Sequence, residues 1–307
     1  MDQKFNKPKG FGEILDHTFS LSKNRFKDFF MILLIFMGPV YLVQAIIQLL
    51  SGTSFVREVG SGNGWLEQIV SGFNDTATLD TGSLGADLGL ILVGFCSVIL
   101  FPVAEAAVLF AVNHIRKNEE YTIGSVIKQA FSRFWPILGS SILFGLIVFG
   151  LIIGPIIIVT LVGIFGSLAN PILGIGFAIL LFLGFAVGIG YLLTRWSFYF
   201  GSVVFEEEFP GLSRSWKLTR NRTWILMGLY IVFFLIVSCI SFAMEVTFGL
   251  ILGNSVLLQI IVNVATIFTT LIFSVGYAIM FFDSKVRHDA DDLKEMIEDY
   301  NSTQSPR

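Results

Sequence analysis

The sequence predicts an all-α, polytopic integral membrane protein with six transmembrane helices. Three observations carry that prediction. Hydrophobic residues make up 54% of the 307 positions and charged residues only 14%, with 32 Phe, too little charge to clothe a soluble protein of this length. Between Phe134 and Thr194 there is no Asp, Glu, Lys or Arg, and at about 20 apolar residues per crossing this run alone holds two spans. All but one of the 20 Lys and Arg residues fall in alternate segments between apolar runs, as the positive-inside rule requires of a multi-pass chain.

Taken in order, the apolar segments cover about 29–50, 88–113, 136–165, 171–195, 223–249 and 256–282. The third and fourth are joined by a short turn at Asn170-Pro171, a dipeptide that favours chain reversal. Gly154-Pro155 interrupts the third, where proline removes a backbone donor and predicts a kink. Basic residues collect in 1–28, 114–135, 195–222 and 283–307, and only Arg57 lies on the other side. Both termini are therefore expected in the cytoplasm, with the 51–87 loop outside. In that loop Trp65, Ile69 and Phe73 recur at helical spacing, which suits a segment lying on the outer surface as well as a loosely packed loop. The transmembrane domain is expected over 1–282.

Three of the basic segments share a pattern: FGEILDHTFSLSKNRFKDFFMI, TIGSVIKQAFSRFWPIL and FPGLSRSWKLTRNRTWIL. Each starts near a glycine (Gly12, Gly124, Gly211), runs with mixed apolar and basic character, and ends in a basic residue beside an aromatic. Two apolar segments follow each time. This reads as a degenerate repeat of a cytoplasmic elbow helix plus a transmembrane hairpin, used three times. The expected interface anchors are Arg25, Phe26, Arg133, Trp135, Arg214, Trp216, Lys217, Arg220, Arg222 and Trp224. Cations there are drawn to anionic headgroups by about 1 kcal/mol each, and aromatic rings sit at headgroup depth. Nucleic-acid binding is disfavoured, because Glu206, Glu207 and Glu208 precede the basic stretch and a membrane span follows it. Pro210 suits the first turn of the third elbow helix.

The stretch TRWSFYFGSVVFEEEFPGLSRSWKLTRNRTWILMGLY resembles a motif of a large bacterial family of six-span membrane proteins. In that family an Arg closes the fourth span, and a Ser-Trp-basic-Leu-Thr-basic elbow leads into the fifth. The matching positions are Arg195, Ser215 to Arg220, and Trp224; FPVAEAAVLFAVNHI and FGEILDHTF fit as well. The family includes the membrane domain attached to some glycerophosphodiester phosphodiesterases, and many stand-alone members whose function is not known. The resemblance covers nearly all of the chain to about residue 283. It implies a multi-pass protein of the bacterial plasma membrane. It transfers no active site, since the soluble phosphodiesterase domain is absent from these residues.

Chemistry-bearing residues are few. No catalytic, cofactor-binding or metal-ligating set is evident: the two cysteines, Cys96 and Cys239, lie in apolar runs, and His17, His114 and His288 stand on separate segments. Glu105 is the sharpest candidate. It lies well inside the second span, where a charge costs about 2.5–3.5 kcal/mol. Either it is a structural group, paired with a partner such as Arg195 or held protonated, or it lies on a solute or proton pathway. Gln44, Gln48, Asn113, Gln259 and Asn263 are expected to bond between helices. Gly150 and Gly154, with Gly184 and Gly188, have GxxxG spacing that suits close packing of the third and fourth spans. In the tail, 283–307, Leu293, Met296, Ile297 and Tyr300 recur at helical spacing. This predicts an acidic amphipathic helix over 289–300, capped near Asp289, that packs on the elbows or docks a protein partner.

The functional expectation is a non-enzymatic accessory or scaffold subunit that organises membrane lipids or a partner complex. The alternative is a transporter or channel for a small solute or lipid that uses Glu105. No cofactor is expected.

Overall fold

The computed structural model describes residue 5 and residues 7–56, 84–205, 209–253 and 255–304. The 65–73 surface segment and Glu206 to Glu208 lie outside the described residues. Among the described residues ten helices follow one another: α1 (Phe11–Asn24), α2 (Phe26–Leu50), α3 (Leu84–Lys117), α4 (Ile123–Ser132), α5 (Phe134–Ala169), α6 (Pro171–Trp196), α7 (Tyr199–Val204), α8 (Leu212–Leu218), α9 (Thr223–Leu252) and α10 (Val256–Gln304). No strand occurs among the described residues. Six of the helical stretches are long and apolar enough to cross a membrane, so the chain is a multi-pass membrane protein.

Each predicted elbow is a short helix, α1, α4 or α8, that ends at a bend into the next span. The first two bends are alike. Arg25 (φ −118°, ψ 26°) and Arg133 (φ −108°, ψ 17°) leave the helical region for one residue, and a phenylalanine starts the span. The third elbow helix is shorter than expected and begins at Leu212, not Pro210. Gly211 takes φ +81°, and a Cβ there would run into the Tyr199 carbonyl, so only glycine fits the turn. Asn221, also at positive φ, redirects the chain into α9. Helix α7 has no counterpart in the predicted pattern.

The chain separates into two compact units. One comprises 1–11, 133–231 and 278–307; the other comprises 12–132 and 232–277. In the first, α5 and α6 form an antiparallel hairpin whose turn is closed by Asn170: its side chain accepts from the N–H groups of Ile172 and Leu173, and Pro171 takes the first helical position, where its missing donor costs nothing. The core of this unit gathers Ile137, Phe198, Val204, Leu226, Phe281 and Phe282, all fully buried. In the second unit Phe29, Ile32, Leu33, Val108, Leu109, Phe233 and Leu271 play that part.

The glycines that let helices approach are not the GxxxG set. A Cβ on Gly150, Gly154, Gly184 or Gly188 would meet nothing within 4 Å. The contact is instead between Gly166 and Gly174, on either side of the turn, where the two backbones touch. The most apolar window of α5 buries none of its residues, against 44% for the second span. Gly150 and Gly154 therefore face open space, where spacing alone creates no contact. Helix α5 runs unbroken through Pro155.

The tail differs from expectation too. No cap interrupts the chain near Asp289: α10 continues from Val256 to Gln304 as one helix of 49 residues. No Gly or Pro occurs after Gly276 until beyond its end, and Asp283 pairs with Arg287 one turn on, which favours continuation.

Candidate functional site

Polar side chains are concentrated at the basic ends of the spans, and three groups of them define the local chemistry. The first joins α8 to the end of α6. The last carbonyls of a helix lack partners within it, and here Arg195 C=O accepts from the Ser215 hydroxyl at 2.9 Å. The Phe198 N–H donates to the same Ser215 oxygen at 2.9 Å. The Thr219 hydroxyl lies 3.2 Å from the Arg195 carbonyl and 2.9 Å from that of Ser215, so its one proton is shared. Ser215 and Thr219, four residues apart on one face, are completely buried. On the adjoining face Trp216 carries the Arg195 guanidinium 4.0 Å from its ring centroid. The Ser-Trp-x-Leu-Thr pattern is thus a fastening between elbow and span.

The second group surrounds Asp283 on α10. Its side chain is only 1% exposed. One carboxylate oxygen accepts from Arg222 at 2.6 Å and from Arg287 at 3.1 Å, and the other accepts from the Lys9 N–H at 2.7 Å. Arg287 and Arg222 also donate to the Lys9 carbonyl, at 2.8 and 3.4 Å. The N-terminal segment, α9 and α10 are thereby tied at one point. Sequence reasoning missed Asp283. It was visible as the first acid after the last apolar run, in phase with Arg287, but nothing in the sequence links it to Lys9 or Arg222.

The third group belongs to the 12–132 segment. The Tyr121 hydroxyl donates to Asp28 at 3.0 Å. Burial, with the hydrogen bond to Asp28 adding to it, pushes the phenol above its ordinary pKa, so Tyr121 remains a donor at neutral pH. His114 meets Glu119 at 2.8 Å and Gln129 of α4 at 3.3 Å. Arg25 and Asp28 form a longer surface pair at 3.7 Å.

The expected anchors therefore divide. Trp135 and Trp224 are strongly exposed, Trp216 is 40% exposed, and Phe26 is exposed. Lys217 and Arg220 are exposed, and Arg214 is half-buried. Arg133 reaches the Val203 carbonyl at 3.5 Å. Arg222 departs from the anchor role, because its head turns inward to Asp283, where a buried carboxylate outcompetes a hydrated headgroup.

Glu105 and Arg195 fall in different units, and each has its own partners. Glu105 accepts one long hydrogen bond, 3.4 Å, from Ser274 of α10. Its neighbours Ala104, Ala106, Ala107 and Val108 are completely buried. Of the other polar span residues, Asn263 donates to Gln44 at 3.4 Å, while Gln259 bonds to Asn263 within α10 and Asn113 to Arg116 within α3. Cys96 and Cys239 are free thiols. No cluster of three metal-ligating side chains occurs among the described residues.

Comparison with family models, curated proteins and solved structures found no match.

Proposed function

We propose that this chain is a non-enzymatic accessory or scaffold protein of a bacterial plasma membrane, with cytoplasmic termini, that organises lipid or a partner complex. One observation carries the reading. The helix of the last span continues past its apolar run as a helical arm, and the arm is fastened at its base by the Asp283 cluster. At about 1.5 Å per residue the 49 residues of α10 extend about 74 Å, more than twice the ~30 Å hydrocarbon core. The carboxylate of Asp283, gripped by Arg222 and the Lys9 backbone, sets where that arm leaves the bundle. An arm held this way suits a docking element better than a solvated tail does. The like bends at Arg25 and Arg133 support a repeated elbow-hairpin design, and the Ser215–Thr219 fastening supports kinship with the six-span family whose motif it matches.

The test is purification from native membranes in mild detergent, comparing the full chain with a truncation after His288, which keeps the Asp283 cluster whole. A stoichiometric protein held by the full chain and released by the truncation is the expected result. A partner retained by both forms would refute docking through the arm.

A second reading, transport of a small solute or proton, is favoured by Glu105, a carboxyl inside a span with a single 3.4 Å bond to Ser274. It predicts that Glu105→Gln abolishes flux in liposomes without loss of fold.

A further inference from the structure

Arg195, only 8% exposed, is a buried cation with no acidic partner among the described residues. Its Nε is buried and makes no hydrogen bond. Its guanidinium lies over the Trp216 ring, 4.0 Å from the centroid. A ring face attracts the charge but accepts none of the five N–H donors of an arginine. Charges removed from water without hydrogen-bonding partners are destabilising, so buried cations are normally found paired. Arg222 and Arg287 follow that rule through Asp283; Arg195 does not.

The surroundings say what would complete it. Arg195 occupies the last turn of α6, at the basic end of a span, and its backbone is held by the Ser215 and Thr219 hydroxyls. The guanidinium is thus presented by a fixed elbow, with little ordering left to be done on binding. Beside it stand Trp196 and Trp216, with ring centroids 6.3 Å apart, and indoles favour headgroup depth. Lys217 and Arg220 on the same elbow are exposed, so the local potential favours a ligand with net negative charge. A phosphodiester fits every one of these features, because its oxygens match the guanidinium fork.

We propose that Arg195, stacked on Trp216, binds the headgroup phosphate of one anionic phospholipid from the leaflet at the basic end of the bundle. The acyl chains would lie along the exposed apolar flank of α6, where Leu183 and Val187 face outward. The proposal does not depend on the accessory reading, because lipid retention is measured on the isolated chain.

The experiment is native mass spectrometry and thermal unfolding of the full chain in mild detergent, titrated with phosphatidylglycerol, phosphatidylcholine or sodium phosphate. Wild-type protein should keep one phosphatidylglycerol about tenfold more tightly than phosphatidylcholine, the scale of one charge-assisted interaction, and sodium phosphate should not displace it. Arg195→Gln should lose that preference, Arg195→Lys should keep part of it, and Trp216→Leu should weaken it. Lys23→Gln, which removes an exposed charge from α1, should leave it unchanged. Equal retention of the two lipids by wild type would overturn the proposal. So would full retention by both Arg195→Gln and Trp216→Leu, and displacement by phosphate would reassign the site to a soluble anion. Should Arg195→Gln fail to fold, the wild-type lipid comparison and Trp216→Leu still decide.

Discussion

Asp283, at the end of the last apolar run, and Glu105, inside the second, are treated by the structure in opposite ways. Asp283 accepts from two arginines and a backbone N–H, with both oxygens engaged inside 3.1 Å. Glu105 accepts one serine hydroxyl at 3.4 Å. A carboxylate saturated by cations and donors acts as a structural pin. A carboxyl with one weak donor in apolar surroundings has capacity to spare, for a proton or for a passing cation. Hydropathy marks only Glu105 as unusual. Only the count of partners separates a fastening from a candidate working group.

The largest effect should come from emptying the saturated site. Asp283→Asn leaves Arg222 and Arg287 facing each other and the Lys9 backbone without the charge that holds them. Removing one member of a buried ion pair costs about 3–5 kcal/mol. The variant should unfold at markedly lower temperature in detergent, and limited proteolysis should cut first near Lys9. Unchanged stability would mean that the two arginines find water instead, and the contrast with Glu105 would vanish.

Packing next to that site gives the second prediction. A Cβ on Gly201 would meet the Phe281 ring at 2.7 Å, two residues before Asp283. Gly201→Ala should therefore cost about 2–3 kcal/mol through overpacking. The same change at Gly150, which faces open space, should be neutral or stabilise by up to about 1 kcal/mol through helix propensity. Thermal unfolding of the two variants side by side checks both signs.

These glycines also show what was legible in the sequence. Hydropathy reports the environment of a whole segment, so the six spans and the basic elbow segments could be read directly. Gly150 and Gly201 look alike in one dimension, because their difference is which neighbour arrives from elsewhere in the chain. Asp283 was hidden for the same reason: Lys9 and Arg222 are remote in sequence, and only folding brings them to it. The elbow motif was half legible. Trp216 and the basic residues announce an interface, but the buried roles of Ser215 and Thr219 depend on a carbonyl at the end of another helix. The tail was misread because an N-cap residue at Asp289 signals a helix start only where no helix is already running.

A smaller loss is expected at that elbow. Ser215→Ala removes the hydroxyl that links Arg195 C=O to Phe198 N–H, leaving the carbonyl with only the longer, shared Thr219 bond. A cost of about 1–2 kcal/mol follows. Ser215→Thr, which restores the hydroxyl, should recover part of it. The readout is again thermal unfolding, with phosphatidylglycerol retention as a second measure, since a loosened elbow would no longer hold Trp216 under Arg195.

The smallest stability effect should be at the other acid. Glu105→Gln keeps the volume and keeps an oxygen that can accept from Ser274, and the bond at risk is already 3.4 Å long. The expected change is under about 1 kcal/mol, within the range of interhelical side-chain hydrogen bonds in membranes. Glu105→Gln and Asp283→Asn make the same chemical replacement, so the difference between their unfolding temperatures measures the difference in partners directly. A near-neutral Glu105→Gln that also abolishes proton or solute flux in liposomes would establish a working carboxyl. A near-neutral change without any flux in wild type would leave the accessory reading standing. A large loss of stability would show that Glu105 is as firmly pinned as Asp283, and the distinction drawn between the two acids would fail.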